Sequence, residues 1–154
     1  YCIGSIDIKP FKLTKSSDFV SSYVLNLVAV TEIVRNFENN LKRNNASVVL
    51  FSTVAAKKGF VNHSIISSAK SGVEGLTVAL AAEFAPNIRV NCITLGGVFD
   101  DHDINFNEQY SYRTTLGRMA EKNEYNGVIL FLCSEASSYM TGANIIVDGG
   151  WTVI

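Results

Sequence analysis

The chain has 154 residues, 47% of them hydrophobic and 18% charged, with a formal net charge of −1. That length and apolar content suffice for one domain with a buried core and exclude a disordered chain. The near-neutral balance, with lysines and arginines scattered, excludes general attraction to nucleic acid or an anionic membrane, which needs a concentrated basic face.

No apolar run reaches the roughly 20 residues that span a bilayer. The stretch Tyr1 to Phe11 lacks the basic start and long apolar segment of a signal peptide. A soluble, cytoplasmic protein is therefore the expectation. Cys2, Cys92 and Cys133 lie far apart, each in an apolar context, so buried free thiols are expected rather than a zinc site or a disulfide framework.

In chain order, "YCIGSID" reads as a strand end running into a loop, with Gly4 as the turn residue. Ser16, Ser17 and Asp18 are candidate N-caps for a first long helix near Ser17 to Arg43, whose apolar spacing runs through Val24, Leu27, Val28, Thr31 and Val34. "ASVVLFST" and "NIRVNCITLGG" are short apolar runs rich in β-branched residues, the pattern of central parallel strands covered on both faces. Between them, His63 to Ala85 forms an amphipathic helix with a single lysine, Lys70, in its first turns. Residues from about 99 to 118 are polar, dotted with aromatics and without clean periodicity, which predicts a mobile lid. "EKNEYNGVILFLCSEASSYM" predicts a third helix, and "TGANIIVDGGW" a last strand ended by two glycines.

The alternation of strand and helix predicts an α/β, Rossmann-like, doubly wound and mostly parallel sheet in a single domain over residues 1–154. No repeat, linker or low-complexity tract divides it.

Several segments together resemble the short-chain dehydrogenase/reductase family, close to its ketoacyl-carrier-protein reductase type. "IRVNCITLGG" is similar to the strand before the family's cofactor-contacting loop, "LGRMAEKNEYNGVILFLCSEASSYMTG" to its penultimate helix and turn, and "NIIVDGGW" to its final strand. "YCIGS" falls where the family has a turn after its fourth strand. The resemblance thus implies the C-terminal part of the fold, without the glycine-rich turn that receives a dinucleotide pyrophosphate.

The resemblance also implies site residues. The family passes a proton through a tyrosine, lowers that tyrosine's pKa with a lysine four residues later, orients substrate with a serine, and supports a relay water with an asparagine. A cation beside a phenol favours the phenolate, and spacing of four puts both groups on one helix face. Lys70 matches the lysine, Asn26 the asparagine and Thr53 the serine, with Ser52 beside it. Ile66 stands at the tyrosine position and has no proton to give. The cofactor-contacting positions implied are Lys70, Gly4 and Gly96, for NAD or NADP. Asp100, at the family's threonine position, and Asp101 after it would repel pyrophosphate.

Each residue has a plainer reading. Lys70 can snorkel from a packed helix. Asn26 can be a satisfied core amide, and Ser52 and Thr53 loop-starting hydroxyls. His63 and His102 have no companions at metal-ligand spacing, so no metal site is expected. Tyr110 and Tyr112 can touch a ligand or merely close a lid.

The expected function is that of a homologue of NAD(P)-dependent short-chain oxidoreductases, interconverting carbonyl and hydroxyl groups, degenerate and inactive in this form. Alternatives are a non-catalytic scaffold or ligand-binding subunit, and an active reductase with another proton donor such as Tyr112. The partners implied are a small carbonyl substrate and further copies of the chain, a dimer or tetramer. Small residues at Ser67, Ser68, Ala69, Gly72 and Gly75 would permit close helix approach.

Overall fold

A computed structural model describes residues 6–100 and 103–153. The expectations for Cys2, Gly4, Asp101 and His102 lie outside them.

The first helix runs unbroken over 28 residues, Ser16–Arg43. It comprises α1 (Ser16–Tyr23), a wider π turn over Val24–Val28, and α2 (Ala29–Arg43). Its N-cap is Lys15 rather than the serines. Asp18, three residues into the turn, reaches back to accept the Lys15 amide at 2.8 Å and pairs with Lys9 at 3.0 Å. The Lys15 amide first, and then Lys9, hold the Asp18 carboxyl below the usual carboxylate range.

Although no uninterrupted apolar run is long, this helix is by length and average composition apolar enough to cross a membrane. Its serines and asparagines interrupt every apolar run without lowering the average enough. In the fold it packs against the sheet, with Val30 and Val34 in the core.

The strands β1 (Ser47–Thr53), β2 (Arg89–Leu95) and β3 (Asn144–Val147) form one parallel sheet in the order β1-β2-β3. Helix α3 (Ser64–Phe84) crosses from β1 to β2. Leu50, Val90 and Cys92 share a core with Val30, Val34, Val73, Leu80 and Phe84, so α2 and α3 cover one face. Side chains alternate along a strand, and Ile93, fully buried outside that cluster, looks to the other face. There α5 (Asn126–Cys133) packs on β1, burying Leu132. The Rossmann-like parallel sheet flanked by helices is thus as expected.

Three local readings are corrected. The third helix is shorter than the sequence suggests: a tight turn over Lys122–Tyr125 precedes α5, and Ser134 ends it, its hydroxyl accepting the Ala136 amide at 3.3 Å to start a new turn. Arg89 then ties down the end of α5, donating to the Leu132 and Ser134 carbonyls at 3.1 and 3.2 Å. The lid segment holds a helix, α4 (Ile104–Tyr112), because the Asp103 carboxylate caps the amides of Asn105 and Phe106. Cys92 is buried as expected, burial pushing its thiol up to about 11, but Cys133 is exposed on the outer side of α5.

Candidate active site

In open parallel α/β sheets, ligands bind at the carboxyl ends of the strands. Here register sets Thr53, Leu95 and Val147 side by side at that end. The next residues of the chain leave β1 through a tight turn at Val54–Ala56, leave β2 through Gly96 and Gly97, and leave β3 through Asp148, Gly149 and Gly150.

The β1 end is stitched to α3. Lys70 lies half-buried with its Nζ donating to the Phe51 carbonyl at 3.0 Å. Buried Ser52 donates to Glu74 Oε1 at 2.8 Å, and Lys57 meets Glu74 Oε2 at 2.6 Å. Thr94, one strand over, donates to Asn144 Oδ1 at 2.9 Å and lies 3.3 Å from the same Glu74 oxygen. One carboxylate thereby gathers a cation and two buried hydroxyls from both strands. Sequence reasoning missed Glu74. The signal available was its spacing of four from Lys70, which sets both residues on one side of α3.

Ile66, one turn before Lys70, is 3% exposed and packs as core. Thr53 closes β1 with its side chain partly exposed. Asn26 is 1% exposed within the π turn, and its Nδ2 donates to the Ser22 carbonyl at 3.1 Å and lies 3.2 Å from the Ser22 hydroxyl. Gly96 has a packing reason of its own: a Cβ there would lie 2.6 Å from the Asp148 Cα, so only glycine lets the two loops pass. Asp100 is ion-paired with Lys122 at 2.8 Å, which offsets the charge that a pyrophosphate would meet.

Above the strand ends the chain builds an aromatic roof. Trp151, 5% exposed, stacks on Phe60 with centroids 4.4 Å apart and planes at 12°. Lys58 Nζ lies 5.2 Å from the Trp151 centroid, and Tyr110 of α4 meets the ring at 5.9 Å. The Tyr110 Oη accepts the Gly97 amide at 2.6 Å, and burial pushes its phenol up to about 12. Tyr112 is 90% exposed. His63 takes part in the roof's margin, its ring 5.1 Å from Phe60. Among the described residues no three His, Cys, Asp or Glu side chains gather as a metal site.

The cavity left between the loop after β2 and the turn after β3 measures about 150 Å³, lined by Gly97, Tyr110, Val147 and Asp148 among others. Small-molecule sites usually offer about 300–1,000 Å³. A nicotinamide riboside does not fit that cavity in this arrangement.

Residues 2–152 match the family described as enoyl-(acyl carrier protein) reductase. Trans-4-hydroxycyclohexanecarboxylate dehydrogenase of Sinomonas cyclohexanicum is 40% identical over 113 residues, 73% of this chain and 43% of that protein. Acetoacetyl-CoA reductase of Allochromatium vinosum is 32% identical over 155 residues, 97% of this chain and 63% of that protein. A short chain dehydrogenase from Leptospira borgpetersenii, solved with bound NAD+, superposes with a TM-score of 0.90 at 29% identity, covering 97% of this chain and 62% of that one. The chain therefore spans less than two thirds of the length of these relatives. From the strand order, the register at the carboxyl edge and these matches together, the chain belongs to the short-chain dehydrogenase/reductase family.

Proposed function

We propose that this chain keeps the scaffold of an NAD(P)-dependent short-chain oxidoreductase but does not itself carry out hydride transfer. The observation that carries this reading is Ile66, buried one turn before Lys70 where a proton donor would stand. Lys70 has no phenol to activate there, and its ammonium reaches the Phe51 carbonyl instead. Loss of general acid–base catalysis costs ~10²–10⁴ in rate. Tyr112 is a poor replacement because it projects into solvent.

The test is an assay of wild type and Ile66→Tyr with NADH or NADPH and a panel of small carbonyl compounds. The panel includes an acetoacetyl thioester, after the name of the Allochromatium relative. Wild type is expected to show no turnover, and Ile66→Tyr, alone or joined to the N-terminal half of an active relative, to gain it. Turnover by the unmodified chain would sink the reading.

A second element of the proposal is self-association as a dimer or tetramer, favoured by an apolar stripe left open along the first helix. Val20, Val24 and Val28 are exposed there, as is Val78 on α3. Gly75 on the same side of α3 has open space before it, whereas Gly72 is already met by Leu27 of its own chain and Ala69 is buried. Light scattering at micromolar concentration that returns a monomer argues against it.

A further inference from the structure

We propose that the open cleft along the side of α3 binds a small carboxylate with a flat apolar body, an arylalkanoate, at a place separate from the strand-end site. The proposal needs neither a nucleotide nor turnover.

The cleft measures about 580 Å³, within the roughly 300–1,000 Å³ of small-molecule sites. Its floor is one side of α3. Ser64, Ser67, Ser68 and Ser71 follow the spacing of three and four that sets side chains on one helix face, and serine is small enough to leave the space above it open. Ile66 and Lys70 each precede one of these serines by a single residue, which is about 100° round the helix axis. Neither they nor Asn26 and Thr53 belong to the lining, so the cleft lies beside the strand-end site rather than in it. Gly75 and Val78, proposed to face another copy, lie further along α3 and also outside the lining.

The walls are held in place by backbone contacts. In the turn after β1 the Val54 carbonyl accepts the amides of Lys57 and Lys58, each at 3.0 Å, and the Ser71 hydroxyl donates to the Ala56 carbonyl at 3.5 Å, which ties this wall to the floor. Phe11 enters from the segment before α1, which the Lys9 amide fastens to the Asn62 carbonyl at 3.1 Å.

Charge selects one end of the ligand. The lining contains two cations, Lys57 and Lys58, and no carboxylate, in a chain whose net charge is −1. Lys57 is already neutralised by Glu74 at 2.6 Å. Lys58 makes no ion pair among the described residues and instead lies 5.2 Å from the centroid of the Trp151 ring. A ring face takes none of the ammonium's hydrogen bonds in full, so Lys58 is the group left to meet an anion. The Ser64 hydroxyl, at the same cleft, is shielded from water and has no hydrogen-bond partner among the described residues, an unmet group that a ligand oxygen would satisfy.

Apolar surface selects the other end. Phe11 leaves 72% of its surface uncovered, and Phe60, fixed by its stack on Trp151, lines the same cleft with Ala55 and Ala56. A ring laid against Phe11 gains more than its area burial alone.

The probe is 3-phenylpropionate, with 3-phenylpropan-1-ol as its uncharged counterpart and acetate as its ringless one. Calorimetry measures binding to wild type, Lys58→Gln, Phe11→Ala and Ser67→Leu, with far-UV circular dichroism as the check on folding. Lys58 and Phe11 are exposed, so their variants keep the fold and decide the matter even if Ser67→Leu does not fold. Wild type should bind 3-phenylpropionate saturably and about tenfold more tightly than either counterpart, the margin of one charge-assisted hydrogen bond. Lys58→Gln should lower affinity for the acid to that for the alcohol, Phe11→Ala should weaken both ring-bearing probes alike, and Ser67→Leu, which fills the cleft, should abolish binding. Emission of Trp151, the only tryptophan in the sequence, should change as the acid is added to wild type and not as acetate is, because the acid draws Lys58 from the ring.

Equal affinity for acid and alcohol in wild type overturns the carboxylate site. Affinity for the acid that is unchanged in Lys58→Gln and Phe11→Ala puts the binding elsewhere and overturns it as well. So does the absence of saturable binding by wild type at millimolar acid.

Discussion

The stitched end of β1 and the roof above it are adjacent, yet they are held by opposite means. At the β1–α3 junction polar groups turn inward onto protein partners: Lys70 onto Phe51, and Ser52 and Lys57 onto Glu74 with Thr94 beside them. In the roof, ring faces stack, with hydrogen bonds from the Gly97 amide to Tyr110 and from Thr115 and Leu116 to the Gly150 and Gly149 carbonyls, and the buried indole N–H meets no acceptor among the described residues. Buried polar networks are rigid because every broken member leaves another stranded, whereas stacked rings slide and part at modest cost. Lys70 and Ser52, which match or adjoin the family's pattern, are thus held by protein partners at the β1–α3 junction, whereas the lid and the final turn meet largely through ring faces.

The largest effect that can break this contrast falls on Glu74. Replacing it with alanine strands the Ser52 hydroxyl and Lys57, while Thr94 keeps Asn144, and urea denaturation should show a loss of about 2–3 kcal/mol. Removing one member of a fully buried pair costs about 3–5, but Lys57 keeps 32% of its side-chain exposure and so regains some hydration. Glu74→Gln retains the acceptor for Ser52 and should lose only about 1 kcal/mol. Equal losses in the two variants would mean that the ion pair alone matters and that the hydroxyl network does not.

An intermediate effect is expected in the roof. Tyr110→Phe removes the hydrogen bond to the Gly97 amide and should cost about 1 kcal/mol at neutral pH. Because burial raises the folded phenol to about 12 from its ordinary 10.0, the unfolded chain gives up this proton first. The stability that Tyr110 contributes is then fully present below about pH 10 and is lost as pH rises through about 12. Thermal melts from pH 8 to pH 12 should therefore fall less steeply in Tyr110→Phe than in wild type, and parallel curves would show that the phenol is not held as described.

The smallest effect sharpens the contrast from outside both regions. Arg118 grips Glu124 through two hydrogen bonds at 2.6 and 2.7 Å, and these hold the Glu124 carboxyl down at about 2. Both side chains are open to solvent, so Glu124→Gln should scarcely alter stability at neutral pH. The pair's contribution is present above the ordinary value of 4.5 and lost as pH falls through about 2. Acid melts of the variant should be slightly flatter than wild type, and a large loss at pH 7 would show that the pair supports the roof after all.

The sheet was legible because β1 and β2 are continuous β-branched runs whose local pattern and burial agree. Helix α3 was legible for the same reason, down to Lys70 one turn after Ile66. Helix α4 was missed because its mean apolar content is low and its main signal is one cap, Asp103, beside two polar neighbours. The long third helix was overread because the apolar run at Val128 to Leu132 gives no warning that Ser134 turns the chain. Long-range partners left no local trace: Ser52 and Glu74 are 22 positions apart, and Phe60 and Trp151 meet from opposite sides of β2 and α4. Periodicity reports which face of an element is buried, but not which residue of another element will be opposite.

The wide turn at Val24–Val28, where the Ala29 amide reaches back five residues to the Val24 carbonyl, contains one residue more than an α-helix uses to climb the same height. A single residue rotates a helix by about 100°. The stretches before and after the turn are therefore out of phase with each other, and the seven-residue bookmark that would align them in a straight helix slips by one. A chain shortened by one residue at this point would close the ladder of backbone bonds more regularly than before. It would also swing Ser22, which holds Asn26, and the open valine at position 20 onto different sides of the helix axis relative to Val30 and Val34 in the core.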